Sequence, residues 1–230
     1  MKDYLAIIPA RSGSVGLKNK NKLKFHNKPL IFWTIESAIK SKFIKKIIVT
    51  SDDKTILSYK NVFSSKKIIF HNRQKKLSTN NAKIYDVIKD CISKNDANLK
   101  KLILLQPTSP LRNYKHINDS IKLFEKTKSL SCISISKIKK TVDSFYQISN
   151  NNYLRLNNNN IINTNRQLFK DFYEINGAIY ISNIENYIKF KTFKTSKSIC
   201  YIMNSKYSVD IDDIKDFKIA EYFKKLKYEF

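Results

Sequence analysis

Short runs of consecutive apolar residues alternate along this chain with longer stretches in which apolar residues recur every three or four positions. Tyr4–Ile8, Lys46–Thr50, Lys67–Phe70, Lys101–Leu105 and Ser131–Ser136 are short, contain mostly Ile, Leu, Val or small residues, and predict strands. Several are apolar on successive rather than alternate residues, the pattern of strands covered on both faces. After Pro29, Ile31, Ile35, Ala38 and Ile39 follow at helical spacing, and proline suits the first turn of a helix. Asn80–Ser93, with Ile84, Val87, Ile88 and Cys91, and His116–Lys126, with Ile117, Ile121 and Phe124, predict two further helices. A last amphipathic helix carries Ile214, Phe217, Ala220, Tyr222, Phe223 and Leu226, with Asp212-Asp213 as its cap. Strands and helices in this alternation imply a parallel sheet with crossover helices, and one α/β domain over residues 1–230.

Ser149–Asn165 breaks the pattern, being rich in Asn and turn-prone. It reads either as a polar loop or as an arm, at about 138–175, that leaves the sheet after Lys137, rejoins it near Asn176 and meets a partner subunit.

Composition narrows the function classes. The chain holds 44 Lys plus Arg against 19 Asp plus Glu, a net charge of +25 that would attract nucleic acid, nucleoside triphosphates or acidic lipid surfaces. The excess is mostly lysine, is spread from Lys2 to Lys227 and forms no stripe, and the 13 Tyr and 14 Phe keep no register with it. That argues against a nucleic-acid-binding protein, which would interleave a basic face with stacking aromatics. Cys91, Cys132 and Cys200 are far apart and sit in apolar surroundings, so buried free thiols in a reducing cytoplasm are expected. Leu5–Ile8 is closed by Pro9 and Arg11, too soon for a signal peptide, and no later run approaches the ~18 apolar residues of a membrane span. A soluble cytoplasmic protein without membrane contact is expected.

Three places carry chemistry. After the first strand, Arg11-Ser12-Gly13-Ser14-Val15-Gly16 offers backbone N–H groups, hydroxyls and a guanidinium at the carboxyl edge of a sheet, where α/β proteins bind ligands. Lys18, Lys20, Lys22 and Lys24 add ammonium groups to that edge, although the spacing matches neither a dinucleotide fingerprint nor a P-loop. Asp210 and Asp212, two apart, would point to one face of an extended strand and offer hard oxygen ligands to Mg²⁺, with Asp213 turned away; an acidic helix start is the alternative. Between them, Gln106 is the first polar residue after a buried strand, and Pro107 and Pro110 stiffen the turn that carries Thr108 and Ser109. His26, His71 and His116 share no ligand or triad spacing.

Five blocks resemble the acylneuraminate cytidylyltransferases (CMP-sialic acid synthetases), in that family's order. They are Ile8-Pro9-Ala10-Arg11-Ser12-Gly13-Ser14 with Lys20-Asn21 and Lys28-Pro29-Leu30-Ile31; Ile48-Val49-Thr50-Ser51-Asp52-Asp53; Gln106-Pro107-Thr108-Ser109-Pro110-Leu111-Arg112; Asn176-Gly177-Ala178-Ile179-Tyr180-Ile181; and Ser208-Val209-Asp210-Ile211-Asp212. The resemblance implies a Rossmann-like, mostly parallel sheet with flanking helices, of the nucleotide-diphospho-sugar transferase kind, and a homodimer with a small dimerisation arm. It implies CTP as substrate, Mg²⁺ as cofactor, and transfer of CMP to an acidic nonulosonic sugar with release of pyrophosphate.

Carried onto this chain, the resemblance puts Ala10, Arg11, Ser12, Gly13, Ser14, Lys20, Asn21, Arg73, Thr108 and Ser109 around the nucleotide. It puts Gln106, Arg166, Asn176 and Tyr180 around the sugar, Asp210 and Asp212 on the metal, and Arg11, Lys20 and Asp212 at the reacting phosphates. Departures are Val15 for a lysine, Asn80 for an aspartate, Asp143 for a lysine and Glu174 for an arginine; the last two reverse charge near the acid sugar. A CMP-Kdo synthetase would follow its loop arginine with Leu-Pro-Gly-Lys, where Leu17-Lys18-Asn19-Lys20 stands here. A CTP-binding regulator without turnover is the other alternative.

Overall fold

A computed structural model describes residues 4–13, 16–94, 98–138, 147–148, 154–155 and 171–226. In chain order the elements are β1 (Tyr4–Pro9), β2 (Lys24–Phe25), β3 (Lys28–Pro29), α1 (Leu30–Lys40), β4 (Ile44–Ser51), α2 (Lys54–Ser58), β5 (Ile68–Asn72), α3 (Ile84–Ser93) and β6 (Lys101–Leu104). There follow α4 (Tyr114–Lys126), β7 (Ser131–Lys137), β8 (Gln147–Ile148), β9 (Leu154–Arg155), β10 (Tyr173–Asn183), α5 (Ile184–Phe190), β11 (Ser198–Met203) and α6 (Ile214–Lys225).

The main sheet has seven strands in the order β11-β7-β10-β6-β1-β4-β5, and β10 alone runs antiparallel to its neighbours. Successive residues of β1 explain why its apolar run is unbroken. Leu5 and Ile7 pack with Ile48, Ile88, Leu102 and Leu104 on one side, while Ala6 and Ile8 pack with Ile31, Ile35, Ile117 and Ile121 on the other. Both faces are therefore covered, as a parallel sheet between helices requires. β7 ends at Lys137, β8 pairs antiparallel with β9, and β10 opens at Tyr173. Most of 138–175 lies outside the described residues, as do Ser14, Val15, Asp143 and Arg166.

Some expectations change. β11 and the short α5 form where no element was expected, and β11 is an edge strand with alternating exposure. Cys200 sits on that edge and is exposed, so the apolar residues around it do not bury it; Cys91 and Cys132 are buried, and burial pushes both thiols up to about 12. The helix expected from Asn80 starts at Ile84. Among the described residues no helix is long and apolar enough to cross a membrane.

The starts of α2, α4 and α6 are set by side-chain caps. Asp53 accepts from the N–H groups of Thr55 and Ile56, and Asp213 accepts from Asp216, whose carboxylate reaches back to the N–H of Asp213. At α4, Asn113 accepts from the N–H groups of Lys115 and His116, and Nδ1 of His116 accepts from the N–H of Asn113. That last bond needs a neutral imidazole. Burial, joined by the nearby Arg112, pulls the His116 pKa down to about 4. The unfolded chain therefore takes up this proton first, near pH 6.5, and stability falls as pH drops from there towards 4. The expected share of His116 is a loss of about 2 kcal/mol at pH 5 relative to pH 7.5. Denaturant titrations of wild type and His116→Gln at both pH values check it: the variant should lose less stability on acidification, and equal losses would assign the effect elsewhere.

Candidate active site

β1, β4 and β5 lie to one side of the point where the chain turns back, and β6 lies to the other. The loops after β1 and β6 therefore part at their carboxyl ends and leave a crevice, the place where open α/β sheets take ligands. A cleft of about 390 Å³ occupies it, lined by Pro9, Arg11, Gly16, Lys20, Asn21, Gln106, Pro107, Thr108, Asp210 and Asp212. Three stretches that are distant in sequence build it.

Backbone contacts hold the three together. The N–H of Ile211 donates to the Thr108 carbonyl at 2.9 Å, which fastens the aspartate segment to the turn after β6. Lys20 Nζ donates to the Ile211 carbonyl at 2.5 Å and pairs with Asp212 at 3.1 Å, which fastens the same segment to the loop after β1. Gly16 completes that joint, because a Cβ there would run into the Asp212 carbonyl oxygen. The loop itself is tied to the end of β4: Asp52 accepts from the Ser12 N–H at 2.9 Å and from its hydroxyl at 2.6 Å. Arg11 donates to the Asn80 side chain at 2.7 Å and to the Thr79 carbonyl at 3.2 Å.

The two aspartates differ. Residues 208–212 form no strand, so the expected alternation does not govern them; Asp210 is half-buried, with one carboxylate oxygen shut away from solvent, while the Asp212 side chain is 81% exposed. Burial raises the Asp210 pKa; the Thr108 hydroxyl and Lys20 lower it, Asp212 raises it further, and the net shift is upward. One Asp210 oxygen is buried without a hydrogen-bond partner, and so is the side-chain oxygen of Asn21. Buried acceptors of this kind are costly unless something donates to them. Asp213 does turn away, as the cap of α6.

β10 reaches the cleft through a bulge. Between Ile175 and Tyr180 its register with β7 slips, and Gly177 takes φ +73°, which brings the backbone against Asp210 and Gln106. A Cβ at Gly177 would stand 2.6 Å from Asp210 Oδ2 and 2.8 Å from Gln106 Oε1.

The other expected site residues distribute unevenly. Ala10, Ser12 and Gly13 lie in the loop, with Ala10 buried and Ser12 and Gly13 exposed. Of the four alternating lysines only Lys20 lines the cleft, because residues 20–22 form a turn of 3₁₀ helix rather than an extended run, and Lys22 pairs with Asp53 at 2.7 Å instead. Ser109 is buried with its hydroxyl unpartnered beside the turn. Asn176 is buried and its amide is spent within the fold: it accepts from Ser134 at 2.6 Å and donates to Ser208 at 2.9 Å. Tyr180 packs beside Phe193, and burial raises its pKa to about 12. Arg73 is buried, donating to the Thr50 carbonyl at 2.7 Å. Neither Asn176, Tyr180 nor Arg73 lines the cleft. Glu174 sits exposed at the start of β10. Sequence reasoning did not single out Asp52 as the anchor of the loop or Gly177 as a packing point, although both lie inside the blocks that carried the resemblance.

Residues 5–228 match the family model described as cytidylyltransferase. The N-acylneuraminate cytidylyltransferase of Escherichia coli O18:K1:H7 is 36% identical over 225 residues, covering 94% of this chain and 51% of that protein, so the chain spans about half the length of this relative. The CMP-N,N'-diacetyllegionaminic acid synthase of Legionella pneumophila is 29% identical over 238 residues, covering 98% of this chain and 97% of its own length. A solved structure of a CMP-2-keto-3-deoxy-manno-octonic acid synthetase complexed with CTP superposes with a TM-score of 0.71 at 14% identity, covering 97% of this chain and 99% of that one. That likeness establishes the fold. With the match running over nearly the whole chain, the protein belongs to the cytidylyltransferase family.

Proposed function

We propose that this chain transfers CMP from CTP to the anomeric hydroxyl of an acidic nonulosonic sugar, releasing pyrophosphate. The observation that carries the proposal is the meeting of Arg11, Lys20 and Asn21 with Asp210 and Asp212 across one cleft, with unpartnered buried oxygens on Asn21 and Asp210. A cleft that joins cations, carboxylates and open acceptors at the carboxyl edge fits a nucleoside triphosphate and its counter-ion better than a neutral ligand. The relatives' named activities point to the same chemistry and to a sialic-acid-like sugar.

In the reaction the anomeric oxygen attacks the α-phosphorus in line, a bond forms there, and the bond from that phosphorus to the bridging oxygen breaks, so pyrophosphate leaves. Such a transfer depends on alignment and charge neutralisation more than on covalent help from the protein. Lys20 and Arg11 supply positive charge to the phosphate oxygens; the Arg11 contact to the neutral Asn80 amide is one that a phosphate displaces readily. The open Asn21 oxygen accepts from a nucleotide N–H or hydroxyl. Asp210 and Asp212 would hold Mg²⁺, to which the unpartnered Asp210 oxygen is suited, and the ion would supply further neutralisation of the triphosphate. Gln106, beside Asp210 across Gly177, presents an amide to the sugar. The same reading extends to a cytoplasmic homodimer: three unpaired thiols suit a reducing compartment, and the polar excursion around β8 and β9 supplies an arm.

The test is pyrophosphate release from CTP and Mg²⁺ across sialic, legionaminic, pseudaminic and Kdo acids. Release is expected with at least one nonulosonic acid and not with CTP alone. Release with Kdo only would move the assignment to a CMP-Kdo synthetase, and no release with any sugar would leave the cleft as a binding site.

A further inference from the structure

A second cavity, of about 410 Å³, belongs to none of the chemistry above. The two share one turn: Gln106, Pro107 and Thr108 face the cleft, while Pro110, Leu111 and Arg112 line the second cavity. Its walls combine rings and cations. Trp33, Tyr207 and Phe223 line it together with Lys40, Lys206 and Lys224, and Glu36 is its one acid. Glu36 is already bridged by Lys28.

Exposed lysines mean little in a chain this basic, but Lys224 is not one of them. Its stem and ammonium are half-buried, with Nζ 3.9 Å from the centre of the Trp33 ring. Lys28 Nζ stands 3.8 Å from the same ring, so one indole already serves two ammonium groups. Among the described residues neither Lys40 nor Lys224 forms an ion pair. Burial, with Lys28 and Lys40 nearby, lowers the Lys224 pKa against the opposing pull of Glu36. An ammonium held from water, beside other ammonium groups and an aromatic wall, is a site that an anion completes. Lys40, exposed, lines the same cavity and adds a second positive charge, which favours a dianion over a monoanion.

We infer that this cavity binds a small phosphate monoester carrying a planar ring, the phosphate meeting Lys40 and Lys224 and the ring lying against Phe223 and Tyr207. Trp33 is the only tryptophan in the chain, so its fluorescence reports the cavity directly. The experiment titrates the full protein with phenyl phosphate, with inorganic phosphate and phenol as separate probes. A saturable change is expected with phenyl phosphate, at least tenfold weaker with either fragment. Lys224→Met, which keeps an apolar stem on Trp33 and removes the charge, should weaken binding about tenfold, and Lys40→Ala should weaken it in the same direction. Lys20→Ala, in the cleft, should leave it unchanged. No saturable change, unaltered affinity in both Lys224→Met and Lys40→Ala, equal affinity for inorganic phosphate, or loss of binding in Lys20→Ala would each overturn the inference.

Discussion

Asp210→Asn is expected to lower turnover by roughly 100-fold or more while CTP binding stays within about tenfold of wild type. Asparagine keeps the size of the side chain and its contact with Thr108, but it removes the charge that sits buried in the cleft beside Lys20. If Asp210 acts by holding a cation against the triphosphate, the loss falls on the step in which negative charge moves to the leaving pyrophosphate. Asp212→Ala should behave alike, with turnover lost and CTP binding retained in part. The two variants report different things, because Asp212 is exposed and also pairs with Lys20, whereas Asp210 is half-buried and has a buried oxygen without a partner. Steady-state pyrophosphate release set beside calorimetric CTP binding separates the outcomes. Near-normal turnover in Asp212→Ala would reduce that residue to a partner of Lys20, and near-normal turnover in Asp210→Asn would remove the carboxylate pair from the reaction.

The second large effect is expected at Gly177. Alanine there meets two obstacles at once: a backbone φ of +73°, which L residues rarely adopt, and a Cβ at 2.6 Å from one cleft side chain and 2.8 Å from another. Gln106 Oε1 ends a flexible side chain and can swing away, but Asp210 is held by Thr108 and the positive φ has no such release, while the backbone of the turn that Gln106 opens is braced by Arg112. That brace is firm, for Arg112 is 1% exposed and donates to the carbonyls of Gln106 and Ala178 and to the Thr34 hydroxyl. Gly177→Ala should therefore lower turnover at least tenfold and cost about 1–3 kcal/mol of stability. Thermal unfolding and kinetics on one preparation test both parts. Full activity in a stably folded variant would mean that the bulge relaxes without moving Asp210, and that the cleft is looser than its contacts indicate.

The sequence made the scaffold readable where a single physical signal was strong. β1 is apolar on consecutive residues because both of its faces are buried, and the first helix follows Pro29 because proline tolerates a position without an N–H donor. It failed where context decides. β11 carries Ile199, Cys200, Tyr201 and Ile202 and looks like buried chain, yet an edge position exposes alternate residues, Cys200 among them. Lys18 to Lys24 look like an extended basic run, yet one turn of 3₁₀ helix sends Lys20 into the cleft and Lys22 to Asp53.

The candidate site shows the same division. Arg11, Lys20, Asn21, Gln106, Thr108, Asp210 and Asp212 line one cleft. Asn176 belonged to the same motifs and stands outside the cleft lining, its amide bonded to the hydroxyls of Ser134 and Ser208 and to the N–H of Ala178. No periodicity reveals that Asp52 anchors Ser12 or that Gly177 abuts Asp210, since both depend on which strand ends become neighbours.

The most direct measurement follows the phosphorus itself. Phosphorus NMR of CTP and Mg²⁺ with the protein and a nonulosonic acid accepted in the release assay should show the triphosphate signals disappear as one sugar phosphodiester and one pyrophosphate appear in equal amounts. Persistence of CTP under those conditions, or its conversion to free CMP without a sugar phosphodiester, would contradict the account.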